Sequence, residues 1–301
     1  MRDGVSASRA WLPKCGSAKS ATEVYGSWGT ILEFLLERFP YIPEDILRDR
    51  LERGDIVAPD GKPHSADSPY QPETFLFYYR EIPDEPVIPF KEKILFQDEH
   101  IIVVDKPHFL PVSPTGRYVK ESLLSRLKAQ FQLEDISPVH RLDRETAGVV
   151  LFTREKSARG AYQKMFQDRK VNKSYEAIAL CSDRAFPLNY KSRMVKAEPF
   201  FLMKEEAGEP NSETLIDVIE SKDGLSRYLL KPVSGKQHQL RVHMMALGCP
   251  LLNDPFYPEL LPCKGEDYSK PLQLLAKRIE FVDPVTGALR CFESEQSLMA
   301  I

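Results

Sequence analysis

A short apolar run at residues 149–153, Val-Val-Leu-Phe-Thr, constrains the fold of this chain more than any other stretch. Because it is short, rich in β-branched residues and preceded by Gly148, it is typical of a buried strand. The polar residues 140–147 in front of it are then predicted to form a loop at the mouth of that strand. Residues 94–96 and 101–104 are two further apolar runs separated by a polar turn, and they predict a β-hairpin.

The predicted loop holds one carboxylate, Asp143, between two guanidinium groups, Arg141 and Arg144. Neighbouring positive charge favours the ionised form of a carboxyl group, which suits Asp143 to nucleophilic attack, proton abstraction or pairing with a cation. An Asp in such a turn is also commonly a turn or cap residue without a chemical role. Two arginines so close together each need a carboxylate or phosphate partner, which favours a site for an anionic ligand.

Composition bounds the class of protein. The chain has 301 residues, 42% of them apolar, which is enough for a substantial core and for two domains. No apolar run approaches the roughly 18 residues of a membrane span, and no hydrophobic signal region is present, so no membrane partner is expected. Five cysteines without a CxxC pair indicate reduced thiols and a cytoplasmic location.

Charge is unevenly distributed along the chain, although its net value is only −3. Residues 25–90 carry 6 Lys and Arg against 13 Asp and Glu, whereas residues 138–173 carry 9 against 4. Phosphate binding is therefore expected around the Asp143 loop rather than in the N-terminal part of the chain.

The chain is predicted to consist of four segments: a disordered tail at residues 1–24, a small domain at 25–82, a linker at 83–90 and a large domain at 91–301. The tail mixes Ser, Ala and Lys without periodicity. The small domain contains helical patterns at 28–39 and 44–53, followed by short strand-like runs. The linker contains three prolines, which favour an extended chain.

The large domain shows further periodic patterns. Helical spacing occurs at 122–131 and 156–168, and the alternating residues 214–220 are predicted to pair with 227–230 across a Lys-Asp-Gly turn. Residues 182–212 show no regular pattern. Ser234 and Gln237 have the spacing of a capping box, which predicts that a helix begins at that point.

His238 and His243 lie in this last helix pattern, but they do not predict a metal site. They are five positions apart, about 140° around a helix, and no Cys or HExxH pattern joins them. A buried, hydrogen-bonded imidazole is expected at both positions. Arg241 lies about one turn after His238, near the positive end of the helix, and is placed to project into a site.

The loop at residues 140–148, His-Arg-Leu-Asp-Arg-x-Thr-x-Gly, closely resembles the signature of the RluA family of RNA pseudouridine synthases. Other stretches resemble family motifs in the family's order: Lys-x-Tyr-x-Ala at 173–177, Lys-x-His-Gln-Leu-Arg-x-His at 236–243, and Leu-Leu-Asn-Asp-x-x-Tyr at 251–257. The resemblance covers roughly residues 90–290.

The chain departs from the family's pattern at four positions. Phe109 and Asn253 stand where Gly is common, Lys236 where Arg is usual, and Leu275 where His is usual. These departures predict a differently shaped loop at Phe109 and the loss of one contact near the site at Leu275. A phosphate contact from Lys236 is expected to be looser, because ammonium is a point charge rather than a bidentate fork.

The resemblance implies an α+β fold, with a mixed, mostly antiparallel central sheet flanked by helices. It also suggests that residues 25–82 are a small S4-like α/β domain. The acidity of this segment opposes RNA binding, so a packing or interaction domain is the alternative.

The resemblance also implies a role for each site residue. Asp143 is the nucleophile or base, Arg241 pairs with it, and Tyr175 stacks on the uracil and assists proton movement. Arg141 fills the gap left in the RNA when the uridine is extracted. The implied substrate-binding residues, most of them phosphate ligands, are Arg141, His140, Arg144, Lys106, Lys170, Lys173, Lys236 and His238.

The function implied is the isomerisation of uridine to pseudouridine in ribosomal or transfer RNA, by a monomer without metal or other cofactor. Two other functions remain open at this point. One is a non-catalytic RNA-binding or ribosome-assembly protein on the same fold. The other is a hydrolytic N-glycosidase, which would release free uracil.

Overall fold

A computed structural model describes residues 4–17, 19–20, 25–79, 85–262 and 267–301. The chain divides into two units, Met1–Pro83 and Asp84–Ile301, and the division falls at the start of the segment predicted as the linker. The described part of that segment is fixed to the second unit rather than free. The Glu85 carboxylate accepts hydrogen bonds from the backbone N–H groups of Val119 and Glu121, and Ile88 is buried.

The first unit, in its described residues, combines two helices with a three-stranded antiparallel sheet. Its elements are β1 Ser8–Leu12, α1 Ile31–Arg38, α2 Glu44–Glu52, β2 Ile56–Val57 and β3 Thr74–Tyr78, with the strand order β1-β3-β2. Helix α1 begins after Thr30, whose side chain accepts a hydrogen bond from the N–H of Glu33. Gly54 follows α2 with a φ of +70°, the left-handed conformation that ends many helices.

The predicted disordered tail is wrong for residues 8–12, which form β1. This strand pairs with β3, and Ala10 and Leu12 point into the core of the first unit. The apolar pattern of β1 is too short to distinguish a strand from a Ser-rich tail by sequence, because only these two positions of the strand face the core. Residues 1–3, 18 and 21–24 of the predicted tail lie outside the described residues. The resemblance of this unit to an S4-like domain stays a prediction.

The second unit is built on an eleven-stranded sheet. In chain order its elements are β4 Lys93–Gln97, β5 Ile101–Lys106, α3 Leu123–Phe131, β6 Ser137–Pro138, β7 Ala147–Thr153, α4 Lys156–Gln167, β8 Val171–Leu180, β9 Leu188–Lys196, β10 Met203–Glu206, β11 Ser212–Lys222, β12 Leu225–Pro232, α5 Gln239–Ala246, β13 Leu274–Val282 and β14 Leu289–Glu293. The strand order is β10-β9-β11-β12-β8-β13-β7-β5-β4, with β14 beside β13 and β6 beside β7. Among the described strands, only β13 and β7 pair in parallel. The predicted mixed, mostly antiparallel α+β fold is therefore confirmed.

Strand β7 is buried along its whole length. Val150 and Phe152 pack in one core cluster with residues of α3, whereas Val149 and Leu151 pack in another with residues of α4. Because helices cover both faces of this part of the sheet, the strand is apolar at consecutive positions rather than at alternate ones. The loop before β7 is therefore attached to a rigid strand.

Gly148 allows β7 to approach β13 closely at the end nearest that loop. Its φ is +115°, and a Cβ atom on it would lie 2.2 Å from the carbonyl oxygen of Ala276. Any larger residue would collide with backbone there, so this position requires glycine.

Two predictions for the second unit were wrong or incomplete. The patternless region 182–212 contains β9 and β10. Helix α5 begins at Gln239 rather than at Ser234, because Ser234 is used elsewhere. Its hydroxyl accepts a hydrogen bond from the N–H of Glu213 at 2.8 Å and donates to the Gln239 side chain at 2.7 Å.

Candidate active site

A cleft of about 560 Å³ opens beside the loop that joins β6 to β7. Its walls come from that loop, the end of α4, the start of β8 and the segment that leads into α5. Among the described residues that line it, Asp143 is the only carboxylate. Five cations line the same cleft: Arg141, Arg169, Lys173, Lys236 and Arg241. The cleft is therefore suited to an anionic ligand. The Asp143 carboxylate is the acidic group that would face this ligand.

Asp143 and Arg241 meet in this cleft, although they are 98 positions apart in the sequence. Arg241 donates from Nη1 to Asp143 Oδ2 at 3.3 Å. The side chain of Arg241 is only 1% exposed, whereas that of Asp143 is 22% exposed and faces the cleft. The Asp143 carboxylate is therefore accessible to a ligand in the cleft, while the buried guanidinium of Arg241 fixes its orientation.

Asp254 fixes the other side of the Arg241 guanidinium. Arg241 donates from Nε and Nη2 to the two Asp254 oxygens, at 2.8 and 2.5 Å. The Asp254 carboxylate also accepts the N–H groups of Phe256 and Tyr257. Burial alone would lower the pKa of Arg241, but the hydrogen bonds and charge of Asp254, with Asp143 behind them, raise this pKa above its usual value. Arg241 is therefore a permanent, oriented cation.

Sequence reasoning did not select Asp254, although it lies in a stretch that resembles a family motif. Its only local signal is that of a turn residue after Asn253, and nothing in the sequence shows that it faces Arg241. Phe256 was missed for the same reason. Its ring lies against the guanidinium, with Arg241 Cζ 4.6 Å from the ring centroid.

His238 is the second group that approaches the Asp143 carboxylate. Its Nε2 lies 3.7 Å from Asp143 Oδ1, and its Nδ1 lies 2.8 Å from the hydroxyl of Tyr257. That hydroxyl oxygen accepts the N–H of Met203, which leaves its own proton to donate to Nδ1. In the tautomer in which Nδ1 accepts that proton, the imidazole N–H is on Nε2 and faces Asp143. Burial lowers the pKa of His238, and the expected buried, hydrogen-bonded imidazole is present.

Tyr175 lies on β8 between β12 and β13, and its side chain lines the cleft. Burial, reinforced by the negative charge of Asp143, raises its pKa above the ordinary value. The group is therefore a neutral phenol that can donate a proton or a hydrogen bond. The structure places Tyr175 in the same cleft as Asp143 and Arg241.

His140 lines the cleft wall and anchors the Asp143 loop. Its Nε2 accepts the backbone N–H of Leu151 at 3.1 Å, and its ring stacks on Phe166 with centroids 4.7 Å apart. Burial, with a smaller effect from the charge of Lys173, lowers its pKa to about 3. The imidazole is therefore neutral and its Nε2 is occupied by the backbone.

The predicted phosphate ligands divide into two groups. Lys173 and Lys236 line the cleft, together with the exposed Arg141. Lys170 is exposed but lies outside the lining, 3.8 Å from the carboxylate of Asp168. Arg169, which was not selected individually, lines the cleft in a left-handed conformation with a φ of +57°.

The structure corrects the assignment of Lys106 as a phosphate ligand. This side chain is fully buried, and its ammonium donates to the carbonyl oxygens of Leu110, Pro107 and Arg144, at 2.8, 3.0 and 3.2 Å. Burial lowers its pKa to about 7. A strand-end lysine usually reaches solvent, but this one holds the backbone beside Asp143.

Arg144 also departs from its predicted place. It does not line the cleft; its guanidinium lies over the rings of Tyr118 and Phe109, with Cζ 5.2 and 5.8 Å from their centroids. It also donates to Glu145 at 3.3 Å. Its predicted role as a phosphate ligand in the cleft is therefore corrected, whereas the implied pairing of Asp143 with Arg241 is confirmed.

The departures from the family's pattern leave the cleft intact. Phe109 and Asn253, at positions where Gly is common, have φ values of +68° and +61°. Both residues thus adopt the left-handed backbone that glycine favours, and the predicted difference in loop shape at Phe109 stays a prediction. Leu275 packs with Ala147 and Leu298 in a separate apolar cluster, while its neighbour Leu274 lines the cleft. The residue at position 275 therefore faces away from the cleft.

No group of three or more His, Cys, Asp or Glu side chains in the described part of the chain is arranged to hold a metal ion. No helix among the same residues is both long enough and apolar enough to cross a membrane.

Similarity to known proteins agrees with this site. The family model described as RNA pseudouridylate synthase matches residues 100–246. The dual-specificity RNA pseudouridine synthase RluA of Salmonella typhi is 34% identical over 213 residues, which are 66% of this chain and 91% of that protein. The human pseudouridylate synthase RPUSD2 is 30% identical over 184 residues, which are 58% of this chain and 32% of that protein. The chain thus spans about a third of the length of that human relative.

A solved structure supports the fold. The human protein titled RNA pseudouridylate synthase domain containing 1 superposes with a TM-score of 0.56 at 24% identity, covering 72% of this chain and 94% of that one. Because the chain covers nine-tenths of the Salmonella protein with a third of the aligned residues identical, it belongs to the RluA family of RNA pseudouridine synthases.

Proposed function

We propose that this chain isomerises uridine to pseudouridine in structured RNA, with Asp143 as the reacting carboxylate. The observation that carries the proposal is the buried Arg241, held by Asp254, which presents a partly exposed Asp143 to a cleft that five cations line. A carboxylate held in this way is oriented toward the cleft by a permanent cation, which suits it to nucleophilic attack or proton abstraction.

The reaction breaks the N1–C1′ bond of uridine and forms a C5–C1′ bond. C5 loses a proton and N1 gains one, so atoms and electrons balance without a redox partner. The uridine must leave its stack to reach the carboxylate, which is the general requirement of enzymes that act on a base. Asp143 acts beside C1′ and C6, and Tyr175 stacks on the detached uracil and supplies or accepts protons.

Cations around the cleft account for substrate binding in this proposal. Lys173 and Lys236 contact RNA phosphates, and Lys170 contacts the backbone further from the cleft. Arg141, which is exposed at the cleft edge, stacks in the gap left by the extracted nucleotide. The substrates we propose are ribosomal or transfer RNA, in a reducing, cytoplasmic compartment, with the protein acting as a monomer.

One assay tests the proposal against its alternatives. The purified protein is incubated with ribosomal and transfer RNA, without added cofactor, and the nucleosides and free bases are then separated by chromatography. The proposal predicts pseudouridine and no free uracil. Release of free uracil would identify a hydrolytic N-glycosidase, and RNA binding without either product would identify a non-catalytic RNA-binding protein.

A further inference from the structure

The hairpin formed by β9 and β10 carries an unusually exposed aromatic residue at its turn. Phe200 is 78% exposed, more than the other large hydrophobic residues in the described part of the chain. Its neighbour Phe201 is partly buried, and the two rings lie 5.6 Å apart. One ring of the pair is thus anchored and the other is presented to solvent.

The turn is attached directly to the wall of the cleft. Gln237, a lining residue, donates from Nε2 to the carbonyl oxygen of Phe201 at 3.0 Å. The Phe201 ring lies 5.6 Å from that of Phe256, which is also in contact with Arg241 and lies 5.5 Å from His238. A continuous row of rings therefore leads from the solvent-exposed Phe200 to the groups that surround Asp143.

The backbone of the turn is internally hydrogen-bonded. Leu202 donates to the carbonyl of Pro199 at 2.8 Å, and Ala197 donates to that of Leu202 at 3.0 Å. Exposed charges of both signs surround the turn, with Lys196 and Lys204 on the flanking strands and Glu198 in the turn itself. Phe200 is thus held in place as an exposed aromatic ring, and the cations that line the neighbouring cleft supply the positive charge of a single-stranded nucleic-acid platform.

We propose that Phe200 stacks on an unpaired base of the RNA substrate next to the uridine held in the cleft. This inference rests on the proposed function, because it places the base on the same RNA. A single exposed apolar side chain is common on protein surfaces, but this one is at the rim of a cationic cleft. Every base has a π face, so such a contact selects unpaired over paired RNA rather than one sequence.

The test compares Phe200→Ala, Phe200→Leu and Phe200→Trp for equilibrium binding to poly(U) and to a poly(A)·poly(U) duplex. The Ala variant should weaken poly(U) binding by about 5- to 150-fold, the range of one lost base–aromatic stack. The Leu variant should behave like Ala and the Trp variant like the wild type, since only a flat π face restores stacking. Duplex binding should be unchanged in all three.

Leu289→Ala is the matched control, because Leu289 is 70% exposed in the same unit and lies on β14. It should bind both RNAs like the wild type, and all variants should keep the wild-type melting temperature. Turnover of Phe200→Ala on an active RNA substrate should show a raised KM with an unchanged kcat.

The outcomes separate this inference from the proposed function. Unchanged poly(U) binding by Phe200→Ala overturns the inference, whether or not the wild type makes pseudouridine, and would leave Phe200 as a contact for another protein. The inference is also overturned if Phe200→Leu binds poly(U) as tightly as Phe200→Trp does. If the wild type makes no pseudouridine while Phe200→Ala still loses poly(U) affinity and Phe200→Trp keeps it, the proposed function fails and the stacking site stands.

Discussion

Replacing Asp254 by Asn tests whether a residue without a role in substrate binding controls the orientation of Arg241 and therefore the rate of the reaction. In the wild type the two Asp254 oxygens accept Arg241 Nε at 2.8 Å and Nη2 at 2.5 Å. An Asn side chain keeps one oxygen, which can still accept Nη2 and the N–H groups of Phe256 and Tyr257. Its amide nitrogen then faces Arg241 Nε, so a donor meets a donor and one charge-assisted hydrogen bond is lost.

The loss can be estimated from these contacts. One charge-assisted hydrogen bond and one unsatisfied buried N–H together amount to about 3–5 kcal/mol, and the value should be near the lower end because Arg241 keeps Asp143 as a partner. Loss of one anchor also lets the guanidinium move toward Asp143. A displacement of about 1 Å in a catalytic arrangement costs roughly 10²-fold in rate. We therefore expect Asp254→Asn to lower kcat by about that factor with little change in RNA affinity.

The assay is single-turnover formation of pseudouridine, together with urea unfolding of the same samples. Asp283→Asn is the matched control, since the Asp283 side chain is buried like that of Asp254, accepts the N–H groups of Val285 and Thr286, and lies 3.3 Å from an arginine nitrogen. It should lose comparable stability and keep its kcat. A folded Asp254→Asn protein with full kcat would refute the positioning role, as would an equal loss of kcat in Asp283→Asn.

Three further predictions concern stability and binding. Gly148→Ala should lower the free energy of unfolding by at least about 3 kcal/mol, because its Cβ would collide with the backbone of β13; Gly160→Ala, with no neighbour within 4 Å, should be neutral or slightly stabilising in the same urea titration. Burial lowers the pKa of His243 from 6.5 to about 4, so this residue binds its proton more readily in the unfolded chain and the melting temperature should fall as pH drops from 6.5 toward 4. His243→Gln should make that fall less steep, while His140 and His238, whose pKa values burial also lowers, continue to contribute to it. Lys236→Ala should reduce the slope of log Kd against log salt for single-stranded RNA by about 0.7, whereas Lys93→Ala, which removes a lysine paired with Glu295, should leave the slope unchanged.

The sequence predicted best the features whose signal is local. The run at 149–153 and the hairpin of β4 and β5 were identifiable because consecutive or alternating apolar residues are sufficient to indicate a buried strand. Helices α3 and α4 were predicted because their apolar residues repeat at helical spacing. Strand β9 was missed because the buried Ser192 interrupts the apolar side of its alternation. Strand β10 was missed because it has only four residues and three of them are charged.

The site was predictable in its membership and in the pairing of Asp143 with Arg241, but not in its other contacts. The resemblance selected Asp143, Tyr175 and Arg241, and the structure brings these three into one cleft. It selected Lys106 as a phosphate ligand because burial cannot be deduced from a lysine at a strand end. It passed over Asp254 because the pairing with Arg241 depends on how the segment after α5 folds back. These are properties of tertiary packing, which local patterns do not encode.

The most direct test of the account is the Asp143→Asn variant, with pseudouridine formation and RNA affinity measured on the same preparation. The substitution keeps the size of the side chain and leaves Arg241 paired with Asp254, so the fold should be preserved. Turnover should be abolished while RNA affinity is unchanged. Wild-type turnover by Asp143→Asn would contradict this expectation, because the reaction would then not need the carboxylate that Arg241 holds.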